Sequence, residues 1–298
     1  MRRRLLFIFL LVPWFAFAQH YFQVGLRGGV TAWRARTHYV AAQPNLDAGL
    51  EFAYNYRSSQ VIGFRTGITV DHQRASLAKM NYEDTYQTID VEQQLMQVDY
   101  SIGRLQENYA FWSVGIPVQL SFSWEQFTLA VGPKIVFPLS ATWHEKADNA
   151  ALSVYYPDYD NRVYESYPLA ASRDFSMEEK GKLSLPKIQY WLAAELTYDL
   201  PLNTYARNWN SFLTIGVYGD YSFSGLPIDY NDAASLIMLT DTRDGFPLQR
   251  VLSPVLTSSR QKEHLVSHAA LFDVGIKIAY TFSPYNPFSR SARKCHCR

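Results

Sequence analysis

Cysteine is nearly absent from this chain of 298 residues, because its only two cysteines, Cys295 and Cys297, lie among the last four positions. A disulfide-stapled exported domain is therefore excluded, and the stability of the fold must come from elsewhere. An excess of charge of either sign is also lacking: the formal net charge of +1 argues against nucleic acid as a partner. The mean hydropathy of −0.18 excludes a membrane protein built from many apolar helices.

The only long apolar run lies near the N-terminus. Residues 5–12 are apolar, follow three arginines and precede Ala16-Phe17-Ala18. A basic segment, a short apolar segment and an A-x-A site are typical of a secretory signal peptide. A transmembrane anchor needs about 20 apolar residues, and Pro13 interrupts the run earlier. We therefore predict a signal peptide over residues 1–18, cleaved after Ala18.

Aromatic residues are plentiful, at 15% of the chain, and they mark the ends of alternating segments. In residues 270–282, apolar side chains at even positions alternate with Asp273, Gly275 and Lys277 at odd positions. A period of two predicts a β-strand. The apolar face ends in Tyr280 and Phe282, as expected for a transmembrane β-barrel strand with apolar side chains outward, polar side chains inward and an aromatic girdle.

The same alternation returns seven times earlier in the chain. The segments are residues 21–33, 46–56, 61–71, 112–124, 127–140, 188–200 and 213–221. Eight strands is an even number and the smallest size of bacterial transmembrane barrels. A strand of a soluble β-sandwich also alternates, so the connections between strands have to decide between the two classes.

The connections alternate between short and long. Those near Ser58, Glu125 and Pro201 are short, whereas three others are very long. The long connections cover about residues 72–111, 141–187 and 222–267. Short periplasmic turns and long extracellular loops distinguish outer-membrane barrels, whereas a sandwich has no reason for this asymmetry. We predict an all-β, eight-stranded antiparallel up-and-down transmembrane β-barrel over residues 19–282, with both mature termini in the periplasm.

The predicted signal peptide, the eight strands and a last strand ending Ile278-Ala279-Tyr280-Thr281-Phe282 resemble the porin-family outer-membrane β-barrel proteins, a group that includes OmpX-like and PorT-like proteins. The resemblance implies a monomeric barrel in the cell outer membrane, surrounded by outer-membrane lipid. The resemblance to PorT-like proteins implies a component of a secretion or assembly machinery with a periplasmic protein partner. The chain departs from the pattern by continuing past the terminal aromatic residue to Arg298.

Charged residues occupy the predicted inward faces. They are Arg27, Glu51, Arg65, Lys134, Glu195, Asp220, Asp273 and Lys277. The lumen of an eight-stranded barrel is just wide enough for side chains to fill it, and a buried ion is costly without a partner. We predict an interlocked charge network that plugs the lumen, with a proton relay or small-ion path as the alternative. A short turn at Ser58 would place Glu51 directly opposite Arg65.

Tyrosines are concentrated in one predicted loop. They are Tyr155, Tyr156, Tyr159, Tyr164 and Tyr167. Tyrosine among short polar residues suits a binding surface for an extracellular ligand, and packing on the barrel rim is the equal alternative. Asp158 and Asp160 begin like a calcium loop, but Arg162 occupies the fifth position and no glycine follows. We therefore predict no metal there.

Histidine and cysteine spacing does not predict a metal centre or a cofactor. His264 and His268 lack the glutamate of a zinc-protease helix, and Cys295-His296-Cys297 supplies too few ligands for a closed zinc site. Glu263, Ser267 and His268 could form a hydrolase set at the rim only if the fold brought them together. We therefore predict no enzyme, no metal and no cofactor, with a rim hydrolase as the less favoured alternative.

The predicted function is a surface-binding or structural barrel whose specific role lies in its outer loops or periplasmic face. Residues 283–298 form a basic segment, which we predict to be a disordered periplasmic tail able to touch an acidic partner. The PorT-like alternative would place a partner on this tail or on the connector at residues 201–209.

Overall fold

The computed structural model describes residues 19–36, 40–57, 61–89, 93–159, 161–162, 171–202, 210–223, 235–240, 249–256, 258–260, 263–266 and 268–283. The predicted signal peptide, Ser58, most of the 201–209 connector and the tail with Cys295, His296 and Cys297 lie outside the described residues. Among the residues described, no helix is long and apolar enough to cross a membrane.

The described part of the chain is almost entirely β-structure, with one 3-10 helix at Pro157–Tyr159. The strands are β1 (Gln19–Arg36), β2 (Ala41–Arg57), β3 (Ile62–Ile89), β4 (Leu95–Trp124), β5 (Phe127–Tyr156), β6 (Asn161–Arg162), β7 (Ala171–Lys182), β8 (Gln189–Pro201), β9 (Asn210–Ser222), β10 (Ile237–Thr240), β11 (Gln249–Leu252), β12 (Ser259–Arg260), β13 (Glu263–His264) and β14 (His268–Ser283).

Eight long strands close into an antiparallel ring. Its order is β1, β2, β3, β4, β5, β8, β9 and β14, with β14 hydrogen-bonded back to β1. The long strands therefore pair in chain order, which confirms the predicted eight-stranded up-and-down barrel. Closure leaves these strands without a free edge around the ring. Gln19 and Ser283 lie at the same end as the two-residue turn at Glu125 and Gln126.

The two faces of the ring are those that the alternation predicts. Along β14, Phe272, Ile276 and Tyr280 are exposed, whereas Asp273 and Lys277 are buried. The other ring strands repeat this arrangement of apolar side chains outside and polar side chains inside. Further exposed apolar side chains are Val24, Leu26, Leu50, Phe52, Ile68, Val118, Leu120, Phe122, Val131, Leu196, Ile215 and Val217.

Three ring strands are much longer than the prediction allowed. The alternation was expected to stop at residue 71 and to resume at residue 112, but β3 and β4 stay paired as far as Ile89 and Leu95. β5 likewise continues to Tyr156 and pairs with β7, so much of residues 141–187 is strand rather than loop. We call this added sheet, residues 73–89, 95–111, 141–156 and 171–182, the extension. Its outer face is rich in polar residues.

One line of backbone irregularities crosses the extension. Asn81 and Asn149 both have φ of 53°, and Asp174 has φ of 57°. Asn81 lies across from Gly103, and Gly103 lies across from Asn149, where a Cβ on the glycine would come within 2.9 Å of the Asn149 Cβ. Asn and Asp tolerate left-handed backbone better than most residues. The buried face of β3 accordingly changes from odd-numbered Leu77 to even-numbered Tyr82 across this line.

A segment between β9 and β14 covers the inner face of the extension. We call the described parts of residues 235–266 the strap, which contains the β10–β11 and β12–β13 hairpins. Apolar side chains of the strap pack in a single hydrophobic core together with side chains of the extension and of the ring end next to it. The fully buried ones are Leu236, Ile237, Leu252, Val255, Leu256, Leu265 and Val266. The region predicted as a loop over residues 222–267 therefore contributes to a packed core.

Candidate functional site

Two groups of four charged side chains lie inside the ring. The first group, the aspartate quartet, consists of Arg27, Asp71, Lys134 and Asp220, and all four are buried. Lys134 Nζ lies 2.9 Å from Asp71 Oδ2 and 2.8 Å from Asp220 Oδ2. Arg27 Nη2 lies 2.7 Å from Asp220 Oδ2, and Arg27 Nη1 lies 3.7 Å from Asp71 Oδ1. Each cation therefore contacts both anions.

The second group, the glutamate quartet, consists of Glu51, Arg65, Glu195 and Lys277 and is equally buried. Lys277 Nζ lies 2.6 Å from Glu195 Oε2 and 3.1 Å from Glu51 Oε2. Arg65 Nη2 lies 3.1 Å from Glu195 Oε2 and also binds Glu51 Oε1. Both quartets thus balance two positive charges against two negative charges, which offsets the desolvation of each ion.

Small inward residues make room for these long side chains. Gly115 on β4 lies next to the Lys134 side chain, and a Cβ added to it would overlap Lys134 Cε. The same Cβ would lie 2.6 Å from Thr69 Oγ1. Any larger residue at position 115 would push the lysine off its two aspartates. The alternation of glycine with charge in the ring strands therefore has a packing reason.

Seven of the eight predicted lumen residues belong to the quartets, and Asp273 does not. Asp273 is buried on the inward face, where its Oδ2 accepts a hydrogen bond from Gln73 Nε2 at 3.1 Å. Asp71 takes the eighth place instead. The sequence pattern also predicts that Asp71 points inward, because Asp71 and Arg65 both lie at odd positions of β3.

The predicted register of β2 and β3 is wrong. Glu51 lies across from Thr69, and Arg65 lies across from Asn55, because the connection after Arg57 is longer than a tight turn. Arg65 nevertheless binds Glu51 along the inward face. A guanidinium on a long, flexible stem spans an offset that a shorter side chain would not.

Hydrogen bonds near the extension end of the lumen involve residues that the sequence did not single out. Tyr218 donates to Asp47 Oδ1 at 3.0 Å, and Thr31 donates to Asp47 Oδ2 at 2.9 Å. The Arg27 guanidinium carbon lies 3.9 Å from the centre of the Tyr218 ring. Tyr218 therefore links the aspartate quartet to Asp47. Period-two patterning places Tyr218 inside, but it cannot reveal these partners.

The extension contains a different cluster, a row of glutamates on its inner face. Glu107 on β4 pairs with Glu145 on β5, and Glu145 pairs with Glu179 on β7. Glu107 and Glu145 are completely buried. Burial raises the pKa of Glu107 to about 8. Burial, followed by repulsion from Glu107 and Glu179, holds the pKa of Glu145 well above its usual range.

Much of this acid pair has no hydrogen-bond partner within the described residues. The groups concerned are Glu107 Oε1 and both carboxyl oxygens of Glu145. Glu107 Oε2 accepts a hydrogen bond from the Val255 backbone N–H of the strap at 3.0 Å. Burial and the neighbouring Glu107 also raise the pKa of Tyr109 well above its usual range. The sequence does not reveal this cluster, because its members lie in residues 72–111 and 141–187, which the sequence pattern predicts as loops.

The predicted tyrosine loop is only partly described. Tyr155 and Tyr156 end β5, with Tyr156 packed against the apolar core, and Tyr159 ends the 3-10 helix. Tyr164 and Tyr167 lie outside the described residues. The structure therefore describes three of the five tyrosines, which lie in and just after the end of β5.

The predicted rim residues do not form a described catalytic arrangement. Ser267 lies outside the described residues, while Glu263 and His268 belong to β13 and β14. Within the described ranges, no group of three or more His, Cys, Asp or Glu residues could hold a metal ion.

Comparison with known proteins gives only remote similarities. No family model and no curated protein matches this chain. Ail, the attachment invasion locus protein of Yersinia pestis, solved with the heparin analogue sucrose octasulfate, is 8% identical, with 88% of this chain and 99% of Ail covered and a TM-score of 0.28. Neisserial surface protein A is 10% identical, with coverages of 90% and 99% and a TM-score of 0.29.

The outer membrane protein OprG from Pseudomonas aeruginosa is also similar, at 8% identity, with 89% of this chain and 95% of OprG covered and a TM-score of 0.29. Similarities this low carry no argument about the function of this chain.

Proposed function

We propose that this chain is an integral outer-membrane protein whose eight-stranded ring spans the bilayer. One observation carries the proposal: the ring is apolar outside and charged inside. Leu26 and Ile276 are 63% and 60% exposed, whereas Lys277 is 1% exposed. Exposed apolar surface in water costs roughly 25 cal/mol per Å². The same surface is compatible with lipid, and the closed ring satisfies its backbone hydrogen bonds internally.

The dimensions of the apolar band support the same proposal. It runs along β14 from Phe272 to Phe282, about ten residue steps, which corresponds to ~25 Å for a tilted strand. Aromatic rings bound the band at both ends. Phe22 stacks 5.8 Å from Phe282 at the terminal end, and the rings of His72 and Trp112 lie 4.5 Å apart at the other. Aromatic girdles at both interfaces are typical of transmembrane barrels.

Within this proposal, the lumen is closed by the two quartets and conducts no steady current. Two neutral, mutually bonded charge groups in so narrow a ring favour a structural plug over a relay. The termini and short turns face the periplasm, and the extension stands outside the cell. The protein is then a non-enzymatic surface barrel whose extension offers the binding surface. A PorT-like secretion role rests on the sequence resemblance alone.

Two arginine substitutions test the membrane assignment. Ile276→Arg places a charge in the middle of the apolar band, where we expect a cost of about 2–4 kcal/mol and poor insertion into lipid vesicles. Met80→Arg is the matched control, because Met80 is 64% exposed on the extension, outside the band. Folding is measured by heat-modifiable gel migration after membrane fractionation.

We expect Met80→Arg to fold like the parent protein and to reach the outer membrane. Equal folding of both variants, or recovery of the parent protein as a soluble species, would overturn the assignment. Sustained conductance of the reconstituted parent would overturn the closed lumen while leaving the membrane location intact.

A further inference from the structure

The strap is attached to the extension by three side-chain acceptors as well as by apolar packing. Leu236 N–H donates to the Tyr100 hydroxyl at 3.1 Å, and Leu239 N–H donates to the Tyr86 hydroxyl at 2.9 Å. The third acceptor is the Glu107 carboxyl, which binds the Val255 N–H at 3.0 Å. Of the three acceptors, only the carboxyl changes its charge over ordinary pH values.

That carboxyl lies in an unfavourable place for a negative charge. Glu145 is its neighbour on β5, with Glu179 one strand further on β7, while Leu77 on β3 lies on its other side. On β4 itself, the facing titratable group is Tyr109. Two like-charged neighbouring carboxylates without water or a cation repel each other strongly, so such pairs retain protons.

Within the described strands of the extension, Lys79 lies across from inward-facing Leu105 but forms no described ion pair with Glu107 or Glu145, and the exposed cations lie on the opposite face. Lys146 and Lys180 are exposed there, and their Nζ atoms lie 3.0 Å from Asp148 Oδ2 and 3.1 Å from Glu178 Oε1. They are therefore already paired, and the sheet separates them from the glutamate row. The glutamate row therefore differs from the quartets inside the ring, where each acid contacts two cations.

We propose that the strap is a pH-sensitive lid, which stays closed over the extension while Glu107 and Glu145 hold protons and opens as they lose them. Opening would admit water to the pair and separate Val255 from Glu107. The closed strap also covers the apolar inner face of the extension, so opening exposes that face. This inference goes beyond the barrel function and does not depend on whether the lumen conducts.

The direction of the pH effect follows from proton linkage. In the closed state burial raises the pKa of Glu107 to about 8, above its ordinary value of 4.5 in water. Between these values the closed strap keeps a proton that the open strap releases. Rising pH therefore weakens closure by up to tenfold per pH unit for each such proton, and closure is strongest below pH 4.5.

Hydrogen exchange on the full chain in detergent micelles or nanodiscs tests the lid. The protection of residues 249–256 is measured from pH 5 to pH 9 and corrected with a free peptide of the same sequence. We expect protection to fall with rising pH between about pH 5 and pH 8, by about tenfold per pH unit for each proton released, and the contribution of Glu107 to level off above about pH 8. Residues 127–139 of the ring should keep their protection throughout.

Three variants separate the lid from general instability. Glu107→Gln combined with Glu145→Gln keeps side chains of the same size but removes both titrating carboxyl groups. The protection of the strap should therefore become independent of pH. Glu145→Gln alone leaves one titrating carboxyl and a slope no steeper than tenfold per unit. Glu178→Gln, on the exposed face of β7, is the matched control and should keep the parent slope.

Three results would overturn the proposal. They are a pH-independent strap in the parent protein, an unchanged slope in the double variant, and loss of protection in residues 127–139 together with the strap. The parent profile decides the matter even if the double variant does not fold, which the heat-modifiable gel band reports.

Discussion

The ring and the extension share three continuous strands, β3, β4 and β5, but their apolar and polar faces are reversed. In the ring, Leu120 faces outward and Lys134 inward; in the extension, Lys146 faces outward and Leu105 inward. β4 and β5 pass from one arrangement to the other without a break. Backbone pairing therefore does not decide which face is apolar. The surroundings of each face do, and the reversal along a single strand marks the end of the apolar outer band.

The buried acids of the quartets and those of the glutamate row have different surroundings. Each acid of the quartets contacts two cations, whereas the described contacts of Glu107 and Glu145 include no cation. Equal burial therefore has opposite consequences. A paired carboxylate stabilises the fold only while its partners remain, and an unpaired one stabilises it only while protonated.

The largest expected effect comes from removing a cation that two acids share. Lys134→Met leaves Asp71 and Asp220 with Arg27 alone, and we expect a loss of about 3–5 kcal/mol of unfolding free energy. Urea denaturation of the detergent-folded barrel measures it.

The matched control for that loss is Lys146→Met, which breaks the exposed pair with Asp148 on the extension. It should change stability by no more than about 1 kcal/mol. Similar losses in the two variants would mean that burial does not distinguish the ring from the extension.

A second expected effect is local to the apolar core of the extension. Ile237→Ala removes a fully buried strap side chain and should cost about 2–5 kcal/mol. Because the described strap hairpins are not hydrogen-bonded into the sheet of the ring, we expect protease cleavage within residues 235–266 while the heat-modifiable ring persists. Ile89→Ala is the control, since Ile89 is 64% exposed. Cooperative loss of ring and strap together would contradict the separation of the two regions.

The sequence predicted the ring because the two faces of its strands follow a simple rule. An apolar outer face and a polar inner face give the period of two directly, as residues 270–282 show. The strands of the extension could not be predicted, because at Asn81, Gly103 and Asn149 the inward side chains change from odd to even residue numbers or the reverse. A pattern search reads such a shift as the end of a strand.

The lumen could be predicted only in part for a similar reason. The face on which a side chain lies follows from whether its residue number is odd or even, so the sequence predicts that Arg65 and Glu51 point inward. Partners depend on register, and the connection around Ser58 hid it. Asp71 and Asp273 have the same parity and the same charge, so only the three-dimensional stagger decides which of them meets Lys134.

The smallest expected effect is the coupling between Glu51 and Arg65, and it tests most directly whether specific ion pairs distinguish the ring from the extension. Glu51→Gln and Arg65→Gln each remove one member of a buried pair, and each should destabilise the ring. The losses are blunted because Lys277 still holds Glu51 and Glu195 still holds Arg65, at 3.1 Å in both cases.

Each single change leaves the glutamate quartet with one unbalanced charge, and the double change restores neutrality. The double variant should therefore be more stable than the sum of the two losses predicts, with a coupling energy of about 1 kcal/mol. Glu51→Gln with Lys134→Met provides the matched cycle, because the two residues belong to different quartets. Its losses should add within about 0.5 kcal/mol. Equal coupling in both cycles would show one charge network inside the ring, and the contrast with the unpaired acids of the extension would then rest on net charge rather than on specific pairs.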